Sequence, residues 1–438
     1  MKNIFISLLT LCVFGIGCQT QTLPSDTLNQ IATRYVRLGL TIGQYDPAFV
    51  DAYYGPDSLQ PKGEKRGEFP KDSLLGAVDS LLTDLKPFTE GTSTPDSLRV
   101  RAEWMTKQLR AFSRRIRIAT GEYASFDEES EDLFGVKAPV YSEAHFKTLI
   151  ARLDSLLPGQ GSVQARVQAL SDQYKIPQNR IDTVFRAAIE EARRRTSANF
   201  KMPPSESFRL EYVRDKPWSG YNWYQGQYNS LIQINTDMPI YIERAIDLAC
   251  HEGYPGHHVY NLLLEKNLYR DKGWVEISLY PLFSPQSLIA EGSANYGIDV
   301  AFPGDERVRF AKEVLIPLAG LDASKTDLYF NMLALRSELN YARNEAARGL
   351  VNGTMTEQEA HRWLTDYCLF SPEVAANSIR FIRNYRSYVI CYNYGQDLVK
   401  NYIEANGGVA SAPDKRWALF GELLSSPITP TDLQAATK

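Results

Sequence analysis

The chain has 438 residues, 44% of them hydrophobic and 23% charged, which excludes a disordered, collagen-like or small disulfide-stapled protein. Its 48 basic and 52 acidic residues leave a net charge of −4. No Lys/Arg block supplies the electrostatic footprint of a nucleic-acid binder, so nucleic acid is not an expected partner.

Lys2 precedes an apolar run from Ile4 to Ile16 that ends in Gly17-Cys18. A short positive start, an apolar stretch and a small residue read as a signal peptide over 1–17, and the run is shorter than the roughly 20 residues that span a bilayer. Gly17-Cys18 resembles a bacterial lipobox, with Gly15 where Leu is usual. Cys18 is then the lipidation site and residues 18–30 a polar tether. The expectation is an exported bacterial cell-envelope lipoprotein, periplasmic or outer-membrane anchored, that meets the membrane only through its lipid. Cys250, Cys368 and Cys391 sit in apolar or aromatic segments. An odd number of them argues for buried free thiols rather than a disulfide framework.

Residues 31–200 read as a helical N-terminal half. Leu98, Ala102, Met105, Leu109, Phe112 and Ile116 form one helical face, opened by Thr94-Pro95 and stopped by Gly121. Phe146 to Leu157, opened by Ser142, predicts another helix, and 162–175 and 179–198 a further pair. The acidic stretch Asp127 to Asp132 reads as a solvated loop. In the second half, 201–438, Phe208 to Tyr212 alternates as a strand does, and Asn229 to Asn235 is a second strand candidate. The Gly/Tyr/Trp-rich segment 217–228 between them reads as a loop. Helical pattern resumes at Pro239. Later helix starts stand at Ser284-Pro285, Ser371-Pro372 and the capping box Thr356 to Glu359. The expected fold is mostly α, with a small β-element beside the helix that carries the histidines.

Of five His, at 145, 251, 257, 258 and 361, three fall in Ala249-Cys-His-Glu-Gly-Tyr-Pro-Gly-His-His258. His251 followed by Glu252 supplies a metal ligand and a base on neighbouring faces of a helix. The second His of the common H-E-x-x-H pattern would fall at Pro255, which cannot ligate. His257 and His258 lie about 9–10.5 Å further along an unbroken helix, too far to share a metal with His251. Pro255 and Gly256 permit a break that lets one of them swing back. Glu291 lies among small and apolar residues on the helix from Ser284 to Val300, where a carboxylate needs a partner. A metal ion or a salt bridge would satisfy it.

The segment H-E-G-Y-P-G-H-H resembles the H-E-x-x-P-G-H-H signature of the domain of unknown function 885 family, which is related to gluzincin-type zinc peptidases. Glu291-Gly-Ser-Ala-Asn-Tyr296 is similar to that family's E-G-W-A-x-Y block, with Ser293 in place of Trp. Tyr392-Asn-Tyr-Gly395 is similar to its Y-x-x-G. The resemblance implies a large helical fold with a cleft between its halves, and zinc-dependent hydrolysis of peptides. It implies Zn2+ held by His251, His257 and Glu291. His257 is chosen over His258 because Gly256-His257 resembles the Gly-His pair that ends H-E-x-G-H in related peptidases. Glu252 is the expected base and Tyr392 the phenol that stabilises the oxyanion. His258 and Asn295 are supporting or substrate-facing candidates. Leu231, Ile232, Gln233, Ile234 and Asn235 are expected to form an edge strand that holds substrate backbone. A non-catalytic binding lipoprotein and a hydrolase of non-peptide amides or esters remain as alternatives.

Overall fold

The computed structural model describes residues 25–63, 67–92, 94–216 and 218–436. The expected signal peptide and Cys18 lie outside them. The first half is helical: α1 (Ser25–Tyr45), α2 (Lys71–Glu90), α3 (Asp96–Ala119), α4 (Phe126–Phe134), α5 (Glu143–Leu156), α6 (Val163–Ser171) and α7 (Ile181–Asn199), with the short strand β1 (Val50–Tyr53) after α1. The second half opens on β2 (Ser207–Val213), β3 (Gly220–Gly226) and β4 (Asn229–Asn235). It continues through α8 (Ile242–Leu248), α9 (His257–Leu264), β5 (Leu279–Pro281) and α10 (Pro285–Ala301). The remaining helices are α11 (Glu306–Phe310), α12 (Ile316–Ala319), α13 (Thr326–Glu338), α14 (Tyr341–Val351), α15 (Glu357–Tyr367), α16 (Pro372–Tyr385), α17 (Ile390–Ala405), α18 (Pro413–Leu424) and α19 (Pro430–Ala436). Among the described residues, no helix is long and apolar enough to cross a membrane.

The helical periodicity of α3 translates directly into burial: Ala102, Met105, Leu109, Phe112 and Ile116 are fully buried. The tether expected over 18–30 ends early, because residues 25–30 belong to α1 and Leu28 is fully buried. The acidic stretch is not a loop but α4. Ser125 and Glu128 cap one another across its first turn, and acidic residues favour a helix N-terminus. Glu129 within it is buried against Arg386 and Ser387.

The expected loop over 217–228 is largely strand β3. Asn222 and Tyr224 point inward while Trp223 and Gln225 face out, and Gln227 and Tyr228, both at positive φ, turn the chain into β4. The sheet order is β2-β4-β3, with β4 parallel to β2 and antiparallel to β3. Leu231 to Asn235 therefore form the central strand, with both edges hydrogen-bonded, and not the edge strand expected for substrate. The segment read as a loop pairs with β4 and takes the edge. A second, two-stranded sheet joins β1 to β5.

Helix α10 is buried nearly throughout, and its small residues allow α17 to cross at close range. A Cβ on Gly292 would overlap the backbone of Gly395, and one on Gly395 would crowd Gly292 in return. Glycine is required on both sides of such a backbone approach. The E-G and Y-x-x-G blocks, about a hundred residues apart, thus meet at one crossing.

Candidate metal centre

The chain from Ala245 to Leu264 makes the site by interrupting a helix. After α8, residues Ala249–Gly253 form a π-helical turn, Tyr254 to Gly256 leave the helix, and α9 restarts at His257. The amide of Tyr254 bonds back to Ala249 O and that of Gly256 to Cys250 O. A Cβ on Gly256 would fall inside the contact shell of the His251 and Cys250 carbonyl oxygens, so only glycine permits this fold-back. The result carries His257 Nε2 to 3.1 Å from His251 Nε2.

Glu291, on α10, completes the group. Its Oε2 lies 3.3 Å from His251 Nε2 and 3.7 Å from His257 Nε2. The three ligand atoms all lie within 4.8 Å of one another. Two imidazole nitrogens and a carboxylate are the donor set of a catalytic zinc site. The fit is sharpened by Glu291 Oε2, which is buried and makes no hydrogen bond among the described residues. Burial opposes ionisation of Glu291, yet His251 and His257 hold its carboxyl well below the usual carboxylate range. Burial likewise disfavours the charged form of His257, but Glu291 outweighs it and raises the imidazolium to about 9. The Glu291 carboxylate and the His257 imidazolium thus stabilise one another.

Asn295, one turn along α10, orients His251. Its amide nitrogen donates to the Tyr392 carbonyl at 2.8 Å, which fixes the amide so that Oδ1 faces His251 Nδ1 at 2.9 Å. Nδ1 then carries the hydrogen and Nε2 is left as a lone pair facing the metal position. His258 points elsewhere. It is fully buried, with Nδ1 on Ser230 Oγ at 2.8 Å and Nε2 on Glu206 Oε1 at 2.9 Å. It anchors α9 to the sheet, because restarting the helix at His257 turns the next residue inward.

Glu252 is 5% exposed. Its carbonyl accepts from Asn222 Nδ2 at 2.6 Å, and a Cβ on Gly220 would come to 3.0 Å from its Oε1. Edge strand β3 therefore lies directly against the Glu252 carboxylate. Tyr392, half-buried on α17, leaves its hydroxyl without a hydrogen bond among the described residues; its ring packs on Tyr388 at 5.8 Å and Phe381 at 6.2 Å.

Two residues were missed in the sequence. Tyr388 donates its hydroxyl to Glu291 Oε1 at 2.9 Å. The signal available for it was its place at helical spacing, four residues before Tyr392. Asp51, on β1, accepts a hydrogen bond from the Tyr221 hydroxyl of β3. Burial is the main cause that pushes its carboxyl up to about 6, and its charge is felt by His257. Nothing local in Asp51's surroundings marks it, since it arrives from a strand some 200 residues before His251.

No protein-family model and no curated protein matches the chain, so the likeness to the domain of unknown function 885 family rests on the motif residues. By fold, the chain is similar to a candidate lipoprotein from Colwellia psychrerythraea, at 15% identity over 83% of this chain and 69% of that one, with a TM-score of 0.51. The M32 carboxypeptidase from Deinococcus radiodurans aligns at 10% identity over 94% and 95% of the two chains, with a TM-score of 0.47. Metallocarboxypeptidase 1 of Trypanosoma cruzi aligns at 11% identity over the same shares, with a TM-score of 0.45. At such identities the likeness is one of fold. Fold and site together define a mostly helical protein with a candidate His/His/Glu metal centre.

Proposed function

We propose that the protein is a zinc-dependent hydrolase that cleaves peptide bonds in the bacterial cell envelope. The observation that carries the reading is the convergence of His251, His257 and Oε2 of Glu291, with Glu252 next in sequence to the first ligand. When bound, zinc supplies Lewis-acid chemistry, polarising a carbonyl and lowering the pKa of water. The protein's residues do the rest. His251 and His257 would hold the metal through Nε2 and Glu291 through Oε2. Asn295 and Tyr388 hold the first and last of these in orientation. The Glu252 carboxylate takes a proton from the attacking water and passes it to the leaving amine. The Tyr392 hydroxyl, with no hydrogen bond among the described residues, donates to the developing oxyanion. Purified protein should hold about one zinc per chain by elemental analysis and cleave members of a peptide library. Less than about a tenth of an equivalent, with no uptake on adding zinc, overturns the metal assignment.

A further inference from the structure

A cleft of about 420 Å³ opens between the sheet, α8 and α16. Residues of its lining pack, on two sides, against neighbours of the metal centre. On one, Leu248 and Ser219 line it, and a Cβ on the adjoining Gly220 would meet both Leu248 and the Glu252 carboxylate. On the other, Phe381 and Tyr385 line it and pack on Tyr388, the residue that holds Glu291.

Among the described residues, the charged side chains that line the cleft are all cations. Lys216, Arg244 and Arg380 line it, and no carboxylate does. Among the described residues, Lys216 has no ion-pair partner, and the Arg380 guanidinium bonds only to the amide oxygen of Asn377. Arg244 donates to Ser219 Oγ at 3.1 Å and stands 3.7 Å from Asp247. Behind Phe381 lies a fourth cation. Arg343 stands 4.6 Å over the Phe381 ring and donates through Nε to Ser378 Oγ at 3.0 Å, with no carboxylate paired to it among the described residues. Burial lowers its pKa, and it lies close enough to Tyr392 to feel that phenol's charge. An arginine placed in such surroundings without an anion is costly, and guanidinium and ammonium groups left unpaired around a cavity suit a carboxylate ligand. The apolar walls, Trp218 and Phe381 among them, suit the side chain that accompanies it.

We infer that this cleft is the subsite for a carboxylate-bearing end of the substrate, either the free C-terminal carboxylate of a peptide or an acidic side chain beside the cleaved bond. The inference rests on the peptidase reading for its substrate, but its test does not need turnover. Binding is measured calorimetrically on full-length zinc-loaded Glu252→Gln protein with three N-acetylated pentapeptides of neutral sequence: the free acid, its C-terminal amide, and the amide with Glu in the last position. A lost charge-assisted hydrogen bond costs about 1.5–3 kcal/mol, so the free acid or the Glu amide should bind about 10- to 100-fold more tightly than the neutral amide. The tighter of the two identifies the source of the carboxylate. Arg380→Gln and Lys216→Gln, both at exposed positions, should shrink the preference, and combining them should abolish most of it. Equal affinity for all three peptides, or a preference untouched by both substitutions, overturns the subsite. An acid preference in a protein that hydrolyses no peptide as wild type supports the subsite and removes the peptidase reading.

Discussion

Tyr388 donates its hydroxyl to one oxygen of Glu291 at 2.9 Å and so aims the other at two imidazoles. The bond is buried, and it joins the 3₁₀ turn before α17 to the middle of α10. Groups that hold a metal ligand in place typically influence metal affinity by about 10–100-fold. Tyr388→Phe removes the hydroxyl and keeps the ring. Zinc affinity, measured by competition with a chelator, should fall within that range while the far-ultraviolet spectrum is unchanged. An unaltered affinity would show that Glu291 is positioned by packing alone.

Glu252 and Glu291 should separate by substitution. Glu252→Gln keeps the shape but not the basicity, so zinc should be retained while hydrolysis falls about 10²–10⁴-fold. Glu291→Gln weakens a ligand and should lower zinc occupancy together with rate. Full peptidase activity in Glu252→Gln, on a substrate that the wild type cleaves, would sink the mechanism even with zinc in place.

Gly256 should tolerate no side chain. Gly256→Ala places a Cβ against two backbone oxygens that cannot retreat without opening the turn. Overpacking of this kind costs about 1–3 kcal/mol, and here it also moves His257. A lowered Tm with weakened zinc binding is the expected pair of results; a normal Tm with intact zinc binding would contradict the fold-back.

Acid stability should depend on Glu206. Burial opposes its ionisation, but His258, Tyr254 and Arg193 hold the carboxyl down to about 2, from an ordinary 4.5. A lowered carboxyl pKa stabilises the folded state above pH 4.5, and that stabilisation is lost as the pH falls toward 2. Glu206→Gln should therefore be less stable near neutrality and show a shallower loss of stability between pH 4.5 and 2. Parallel curves for the two proteins would count against the assignment.

Cys18→Ala should shift the protein from the membrane to the soluble fraction of cells, if Gly17-Cys18 is a lipidation site. Wild-type protein that is already soluble would refute the lipobox reading.

Much of this architecture was legible because its signals are local. The face of α3, the Thr356 capping box and the Pro at the start of α10 each act within one or two turns, and the structure keeps them all. So did the His251-Glu252 pair and the need of Glu291 for a partner, since a carboxylate among apolar residues announces its own desolvation cost. Ser125 and Glu128 already spelled the cap of α4, a local signal that was overlooked, whereas Gly220 to Gly226 carried no clean alternation, since polar Asn222 turns in and apolar Trp223 turns out. Other features had no local signal. Which of His257 and His258 faces Glu291 depends on the angle at which α9 restarts, and that angle is set by backbone bonds to Ala249 and Cys250 that no periodicity encodes. The central place of β4 depends on which neighbours reach it first, a matter of chain path. Tyr388 rather than Tyr392 touches Glu291 because α17 crosses α10 at Gly395 and Gly292, and Asp51 reaches the site only because β1 pairs with β5. A sequence states what each residue can do with its near neighbours; the partners of Glu291 and Asp51 were chosen by helices and strands that meet only once the core has packed.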